Sequence, residues 1–370
     1  MSKEIKIFQN NLLNWQTKSG RHDLPWQQQP TLYRVWISEI MLQQTQVATV
    51  IPYYQKFIQQ FPTLADLAKT DIDEVLHLWS GLGYYARARN LHKTALIIAT
   101  EYQGNFPTEF DQVLNLAGIG RSTAGAILSL ADNQVHAILD GNVRRVYARY
   151  FMVDGWFGHQ QTQKKLWQIA EQFLAKDKPA QFNQALMDLG SQVCTTANIN
   201  CQKCPLNQGC KAFKQNKQAD YPEKKAKKAK PRKETTLLII LNSQNQILLE
   251  KRPPMGIWGG LWSLPEINQK QNITAWFEQH YPFCKAQFLA KLDSRPHTFT
   301  HFHLEIKPQI WLINEAKQDQ VKEDQTIWYD FNQPIKKGLA KPVSQILSEI
   351  KRWNKNDSKS SRVCAIEKTS

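Results

Sequence analysis

Asn115-Leu-Ala-Gly-Ile-Gly-Arg-Ser-Thr-Ala-Gly-Ala-Ile-Leu128 sets two glycines between one helical pattern and the next. Gly118 and Gly120 can take backbone angles that other residues avoid, so the turn can come close to a ligand. The N–H groups at the start of the following helix, with its dipole, favour a phosphate there. Taken alone, the pattern reads equally as an ordinary interhelical turn. Its surroundings give it weight. The 370 residues carry 47 Lys plus Arg against 32 Asp plus Glu, a formal charge of +15, and such an excess points to polyanionic partners.

Helical spacing extends to both sides of this turn. From Lys3 to about Leu206, apolar residues recur three and four apart, with clear runs at 32–54, 72–78, 85–101, 123–131, 143–151 and 162–174. A run of basic residues follows, Pro222-Glu-Lys-Lys-Ala-Lys-Lys-Ala-Lys-Pro-Arg-Lys233, which cannot bury a core and reads as a solvated linker or a strap for DNA backbone. Beyond it the period becomes two, at 236–241, 246–250, 302–306 and 309–313, with helical runs at 273–280 and 343–351. The expected architecture is a helical domain over 1–221, a basic linker over 222–234, an α+β domain over 235–353 and a disordered polar tail over 354–370. A chain of this length suits two folded units, and 42% hydrophobic residues suffice for two cores. No stretch approaches the roughly 18 apolar residues of a membrane span. The charged start, Met1-Ser-Lys-Glu-Ile-Lys, is unlike a signal peptide, so a cytoplasmic protein is expected, nucleoid-associated if bacterial.

Cys194, Cys201, Cys204 and Cys210 fall at intervals of six, two and five residues. Four thiolates this close normally hold a metal or an iron–sulfur cluster. Structural zinc usually shows two Cys-x-x-Cys pairs, and here there is one; the spacing leaves both open. Cys284 and Cys364 stand apart and read as inert thiols.

Several long blocks resemble the helix–hairpin–helix DNA glycosylase superfamily, and within it the MutY-type adenine DNA glycosylases. They are Trp36-Ile-Ser-Glu-Ile-Met-Leu-Gln-Gln-Thr-Gln-Val47, Gly81-Leu-Gly-Tyr-Tyr-Ala-Arg-Ala-Arg-Asn-Leu91, Leu139-Asp-Gly-Asn-Val-Arg-Arg-Val146 and Met187-Asp-Leu-Gly-Ser-Gln-Val-Cys194. The resemblance covers about 10–210 and includes the cysteine spacing, which implies a [4Fe–4S] cluster. It implies an all-α helix–hairpin–helix glycosylase domain with its cluster loop, followed by an α+β, Nudix-like domain marked by Glu250-Lys-Arg-Pro253 and Trp258-Gly-Gly-Leu-Trp-Ser-Leu-Pro-Glu266. The Arg-Glu-x-x-Glu-Glu helix of working Nudix hydrolases does not follow Glu266, so this domain is expected to read rather than hydrolyse.

The resemblance also distributes roles. Glu39 is the expected acid and base; its helical neighbours Val35, Trp36, Leu42 and Gln43 are mostly apolar, so its pKa should be raised. Asp140, which also reads as a helix cap, is expected to stabilise a cationic sugar, the division of labour between two carboxylates in glycoside hydrolysis. Asn142 would orient Asp140 or water, Ser122 would contribute a hydroxyl, and Asp188 would be an acidic group near the adenine. Relatives that cut the strand carry Lys where Ser122 stands, and a hydroxyl cannot form an imine, so base excision without lyase chemistry is expected. Ala117 replaces the family's usual proline and loosens the turn.

Gln44 and Tyr84 match intercalating positions, with Leu42 and Thr45 nearby, and Gly118 and Gly120 form the DNA-binding turn. Arg87, Arg89 and Lys93 are expected on phosphates, as are Lys203 and Lys211 of the cysteine loop. Phe299-Thr300-His301 matches a Phe-Ser-His loop that senses 8-oxoguanine, with Thr300 keeping the hydroxyl. The expected partner is double-stranded DNA holding an A:8-oxoguanine or A:G mispair, bound by a monomer. Alternatives are a pyrimidine glycosylase/lyase, disfavoured by Ser122, and a non-catalytic iron–sulfur DNA-binding protein, disfavoured by Glu39 and Asp140. A nucleotide hydrolase lacks its metal helix.

Overall fold

The computed structural model describes residues 2–225, 229–268, 271–282, 284–314, 325–331 and 333–357. It divides into two compact units, one of Met1–Thr70 with Arg89–Lys227 and one of Asp71–Ala88 with Lys228–Ser370. A stretch from the middle of the helical sequence therefore belongs to the C-terminal unit. Positions 226–228 of the basic linker and 358–370 of the expected tail, Cys364 included, lie outside the described residues.

Helices α1 (Lys3–Ser19), α2 (Leu32–Leu42), α3 (Val47–Gln60) and α4 (Leu64–Lys69) come first in the first unit. Helix α5 (Ile72–Leu78) belongs to the second unit, and α6 (Ala86–Glu101) begins there. Helices α7 (Phe110–Leu114), α8 (Arg121–Asp132), α9 (Gly141–Phe151), α10 (Gln160–Phe173), α11 (Pro179–Gln192) and α12 (Lys211–Lys214) complete the first unit. Its core gathers Phe8 and Leu12 of α1, Val143, Val146 and Tyr147 of α9, Phe173 of α10 and Phe182 and Leu189 of α11. Phe8 meets Tyr150 and Phe173 edge-on at 4.9 and 5.2 Å, and each such buried ring contributes about 1.5–3 kcal/mol by leaving water.

The apolar spacing over 32–54 suggests one helical stretch, and the structure breaks it. Helix α2 stops at Leu42, Gln44 turns left-handed at φ 57°, and the Thr45 N–H donates to the Leu42 carbonyl at 3.2 Å before α3 starts. The polar run Gln43-Gln44-Thr45-Gln46 has no apolar face to bury, so nothing holds it in the helix. The break places Gln44 and Thr45 in an interhelical turn.

In the second unit β1 (Arg232–Leu241), β2 (Ile247–Lys251), β3 (Trp262–Ser263) and β4 (Glu266–Ile267) are followed by α13 (Ile273–His280). Strands β5 (Lys285–Lys291), β6 (Arg295–Thr298), β7 (His303–Asn314) and β8 (Thr326–Tyr329) precede α14 (Lys341–Asp357). The sheet runs β3-β2-β1-β7-β5, with β8 on β2, β4 on β1 and β6 on β7. β1 and β7 pair in parallel from Arg232↔His303 to Leu241↔Leu312, and the other strand pairs are antiparallel. Leu238, Ile240, Leu248, Ile267, Phe277 and Ile313 form the core beneath α13. The runs at 302–306 and 309–313 are one strand. Pro308 falls between the part of β7 that pairs with β6 and the part that pairs with β5, so its missing N–H costs that side of the ladder nothing.

Candidate active site

Helix α2 starts where the Thr31 side chain accepts the Arg34 N–H at 3.2 Å. It buries Tyr33, Val35, Trp36, Ile37, Ser38, Ile40 and Met41, so nearly its whole circumference is covered. Glu39 is half-buried among them, and its carboxyl accepts no hydrogen bond from the described residues. Burial first, and the negative charge of Asp140 second, push its pKa up to about 8. The structure thus brings Glu39 and Asp140 close enough to feel each other's charge.

Asp140 caps α9. Its Oδ1 accepts the Val143 N–H at 2.8 Å and its Oδ2 accepts Asn142 Nδ2 at 3.1 Å. Ser122 Oγ accepts the Leu139 N–H at 2.9 Å, tying the chain before Asp140 to the first turn of α8. The Ser122 hydroxyl proton has no acceptor among the described residues.

Asn142 in turn accepts from Arg145 Nη2 at 2.9 Å, and Arg145 Nε donates to the Cys194 carbonyl at 2.7 Å. Arg145 also donates to the Gly190 carbonyl. A Cβ on Gly190 would lie 2.6 Å from that of Asn142, so only glycine lets α11 approach α9 this closely. Arg145 and Gly190 stand inside two of the quoted sequence blocks, but nothing in their type or spacing marks them as a relay between Asp140 and the cysteine loop.

All four cysteines of that loop line one cavity with Arg149, Asn200, Asn207 and Gln218. Arg149 is 3% exposed and donates to Cys194 Sγ at 3.3 Å, to the Thr195 carbonyl at 2.7 Å and to the Tyr221 carbonyl at 2.9 Å. Gln218 Nε2 donates to Cys201 Sγ at 3.7 Å. Burial pushes the Cys204 thiol up to about 12, and the neighbouring thiols add to the rise. The four sulfurs share one cavity wall, and gathering four thiolates there needs compensating positive charge. Four thiolates so placed suit an iron–sulfur cluster or a single soft metal ion.

The glycine turn joins α7 to α8. Gly118 has φ 79°, and a Cβ there would lie 2.9 Å from that of Asn90, so glycine is required twice over. Gly120 differs from the expectation: its φ is −99° and a Cβ would meet nothing within 4 Å. Its use is the open space over the start of α8, not an unusual angle. Arg121, next along, lies over the Trp167 ring at 4.0 Å and pairs with Glu171.

Leu42 and Thr45 are half-buried and Gln44 is exposed. Asp188, expected near the adenine, is 0% exposed and held by Arg21 through the backbone N–H at 2.9 Å and Nε at 2.7 Å, and by Gln184 at 2.9 Å. It ties α11 to the chain after α1. A cleft of about 380 Å³ opens beside it, walled by Arg21, Trp26, Val35 and Gln184.

In the second unit, Tyr84 is 46% exposed with φ 50°, and its hydroxyl lies 3.2 Å from Thr300 Oγ1. Thr300 and His301 are exposed in the turn between β6 and β7, which the Phe299 N–H closes on the Phe302 carbonyl at 2.9 Å. Arg87 departs from expectation. It is 8% exposed, donates to the Gly83 carbonyl at 3.1 Å, and stacks over the Trp79 and Tyr84 rings at 5.4 and 5.6 Å. It braces Tyr84 from behind and does not face solvent, where a phosphate would be. Arg89 is half-buried and Lys93 is exposed.

Comparisons with known proteins identify the scaffold that carries this half-buried glutamate and capping aspartate. Residues 37–172 match the HhH-GPD superfamily of base excision DNA repair proteins, and residues 236–349 match the NUDIX domain. The chain resembles the structure of a thermostable thymine-DNA glycosylase at 28% identity and a TM-score of 0.51, over 58% of this chain and 98% of that one. Among whole sequences, the adenine DNA glycosylase of Buchnera aphidicola subsp. Acyrthosiphon pisum is 41% identical over 94% of this chain and 98% of its own length. That of Mus musculus is 30% identical over 98% of this chain and 82% of its own. The chain belongs to the adenine DNA glycosylase family.

Proposed function

We propose that this protein removes adenine lying opposite 8-oxoguanine or guanine in duplex DNA, hydrolysing the N-glycosidic bond and leaving an abasic site for base excision repair. The observation that carries the reading is the Glu39–Asp140 pair, in which burial keeps a proton on Glu39 at neutral pH while Asp140 is fixed by two N–H donors. The names of the relatives support adenine as the excised base. The Tyr84–Thr300 contact supports a reader for the opposite purine.

The base must leave the stack before it can react, and the cleft beside Val35 would receive it. Glu39 gives its proton to N7 of adenine as the bond from C1′ to N9 breaks, so the bonding pair leaves on a neutral base. The cationic sugar is faced by the Asp140 carboxylate. Glu39, now ionised, takes a proton from a water whose oxygen bonds to C1′, and the cycle closes with no net proton change. Ser122 holds Leu139, and through it Asp140, in place. With no lysine at that position, no imine forms and the strand stays intact. Cys194, Cys201, Cys204 and Cys210 would hold a [4Fe–4S] cluster, supplying charge balance and cross-links to the loop. No helix among the described residues is long and apolar enough to cross a membrane. As a monomer on DNA, the protein would work in the cytoplasm, on the nucleoid if it is bacterial.

The test is a single-turnover assay on duplexes carrying adenine opposite 8-oxoguanine, with thymine opposite 8-oxoguanine as control. Strand cleavage at adenine only after alkali is the expected result. Cleavage without alkali, or no reaction at adenine, would overturn the reading.

A further inference from the structure

Asp73 carries no part of the excision chemistry, yet it is among the most heavily engaged carboxylates in the protein. It lies on α5, 5% exposed, within the second unit. Lys251 Nζ at the end of β2 ion-pairs with its Oδ1 at 2.8 Å, while Oδ2 accepts Lys337 Nζ at 2.9 Å and Trp262 Nε1 at 2.9 Å. Both lysine ammonium groups also face the Trp262 ring, at 5.8 and 5.3 Å. Burial works against the charged form, but the two ammonium groups and the indole N–H outweigh it and hold the carboxyl below its usual range.

Around this node α5 is docked in register. A Cβ on Gly338 would stand 2.6 Å from that of Leu76, so the backbone there fits against α5 only as glycine. His77 Nδ1 reaches the Lys337 carbonyl at 3.4 Å and the Tyr85 hydroxyl reaches the Leu339 carbonyl at 3.4 Å. The chain leaving α5 is stiff. Trp79 Nε1 donates to the Gly83 carbonyl at 3.2 Å, and Arg87 grips the same carbonyl and the Tyr84 ring. At the far end of this braced segment the Tyr84 hydroxyl meets Thr300. One exposed hydroxyl–hydroxyl contact contributes too little to set a register, so the buried ionic node must do it.

We propose that Asp73 is a positioning residue for recognition of the purine opposite the excised adenine, clamping α5 to the C-terminal sheet so that Tyr84 and Thr300 present one fixed reading surface. This rests on the reading that Tyr84 and Thr300 meet that purine. Asp73 touches neither DNA nor the reacting atoms, so its removal acts on discrimination and not on the chemical step. Coupling of this kind usually amounts to about a tenfold effect.

The test compares Asp73→Asn, Asp73→Ala and Gly338→Ala in the full-length protein by single-turnover excision of adenine opposite 8-oxoguanine and opposite guanine. Asp73→Asn keeps the shape and removes the charge, while Gly338→Ala unseats Leu76 with every charge intact. The expected result is a ratio of the two rates that falls about tenfold in each variant, with excision opposite guanine within about threefold of wild type. Retained excision opposite guanine also certifies the fold, and the milder pair of variants covers a failure of Asp73→Ala to fold. Parallel loss of both rates would make Asp73 a structural residue only and overturn the proposal, as would an unchanged ratio. A wild-type protein with no preference between the two purines would instead overturn the reading that Tyr84 and Thr300 sense the opposite purine, and the proposal with it.

Discussion

Excision should slow as the pH rises through about 8, because the proton needed by the leaving base sits on Glu39. With a pKa near that value, about nine-tenths of the carboxyl is protonated at pH 7 and about one-tenth at pH 9, a fall of roughly tenfold in rate. Single-turnover rates on adenine opposite 8-oxoguanine from pH 6 to 9.5, quenched and cleaved with alkali, read this directly. The second cause of the raised value is the charge of Asp140, so Asp140→Asn should move the falling limb to lower pH even though its rates are small. The same proton appears in stability. Folding raises the pKa from 4.5 to about 8, so below 4.5 the folded and unfolded chains bind the same proton. Between 4.5 and 8 only the folded chain keeps it, and stability falls as pH rises through that window. At about 1.4 kcal/mol per unit the loss is bounded by about 5 kcal/mol, and partial exposure of the carboxyl makes it smaller. Glu39→Gln removes this slope, so the stability difference between variant and wild type should grow from pH 5 to pH 9 in urea titrations. Rates flat to pH 9, with parallel stability profiles for wild type and Glu39→Gln, would refute the assignment of the proton to this residue.

Other consequences are simpler to measure. Gly118→Ala meets both a left-handed φ and the Asn90 side chain, and should cost about 1–3 kcal/mol in urea denaturation together with a loss of duplex affinity. Borohydride added during turnover should trap no protein–DNA adduct, because Ser122 offers no amine. Ser122→Ala should lower stability by about 1 kcal/mol through the lost Leu139 bond and slow excision without creating strand cleavage. Arg149→Leu leaves the Thr195 and Tyr221 carbonyls and Cys194 Sγ without their donor; purified protein should contain fewer irons per chain by metal analysis and show weaker visible absorbance.

The raised pKa of Glu39 was legible in its apolar helical neighbours, the Asp140 cap in Leu-Asp-Gly-Asn-Val, and the gathering of the four cysteines on one cavity wall in their close spacing. The same periodicity argument ran α2 into α3, since apolar spacing continues through a turn that only the left-handed Gln44 reveals. Strand β5 escaped notice because none of its residues is fully buried and its exposed and half-buried positions do not alternate. Side-chain destinations were harder still. Arg87 reads as a phosphate contact from its basic neighbours, but its guanidinium has two aromatic rings and two carbonyls to satisfy it and so turns inward. Asp73 and Lys337 carry no local signal, being joined only by tertiary structure.

That long-range pair also constrains how the chain can be made. Asp73 and Lys337 are 264 residues apart, so at about 5–20 residues per second the ribosome delivers the second roughly 13–53 s after the first. Until that interval ends α5 lacks Gly338, which packs on Leu76, and the second ammonium group that neutralises Asp73. The C-terminal unit cannot be finished from C-terminal residues alone. A nascent chain arrested in the linker, or a truncation made there, would carry α5 as an orphaned segment with its apolar face in water.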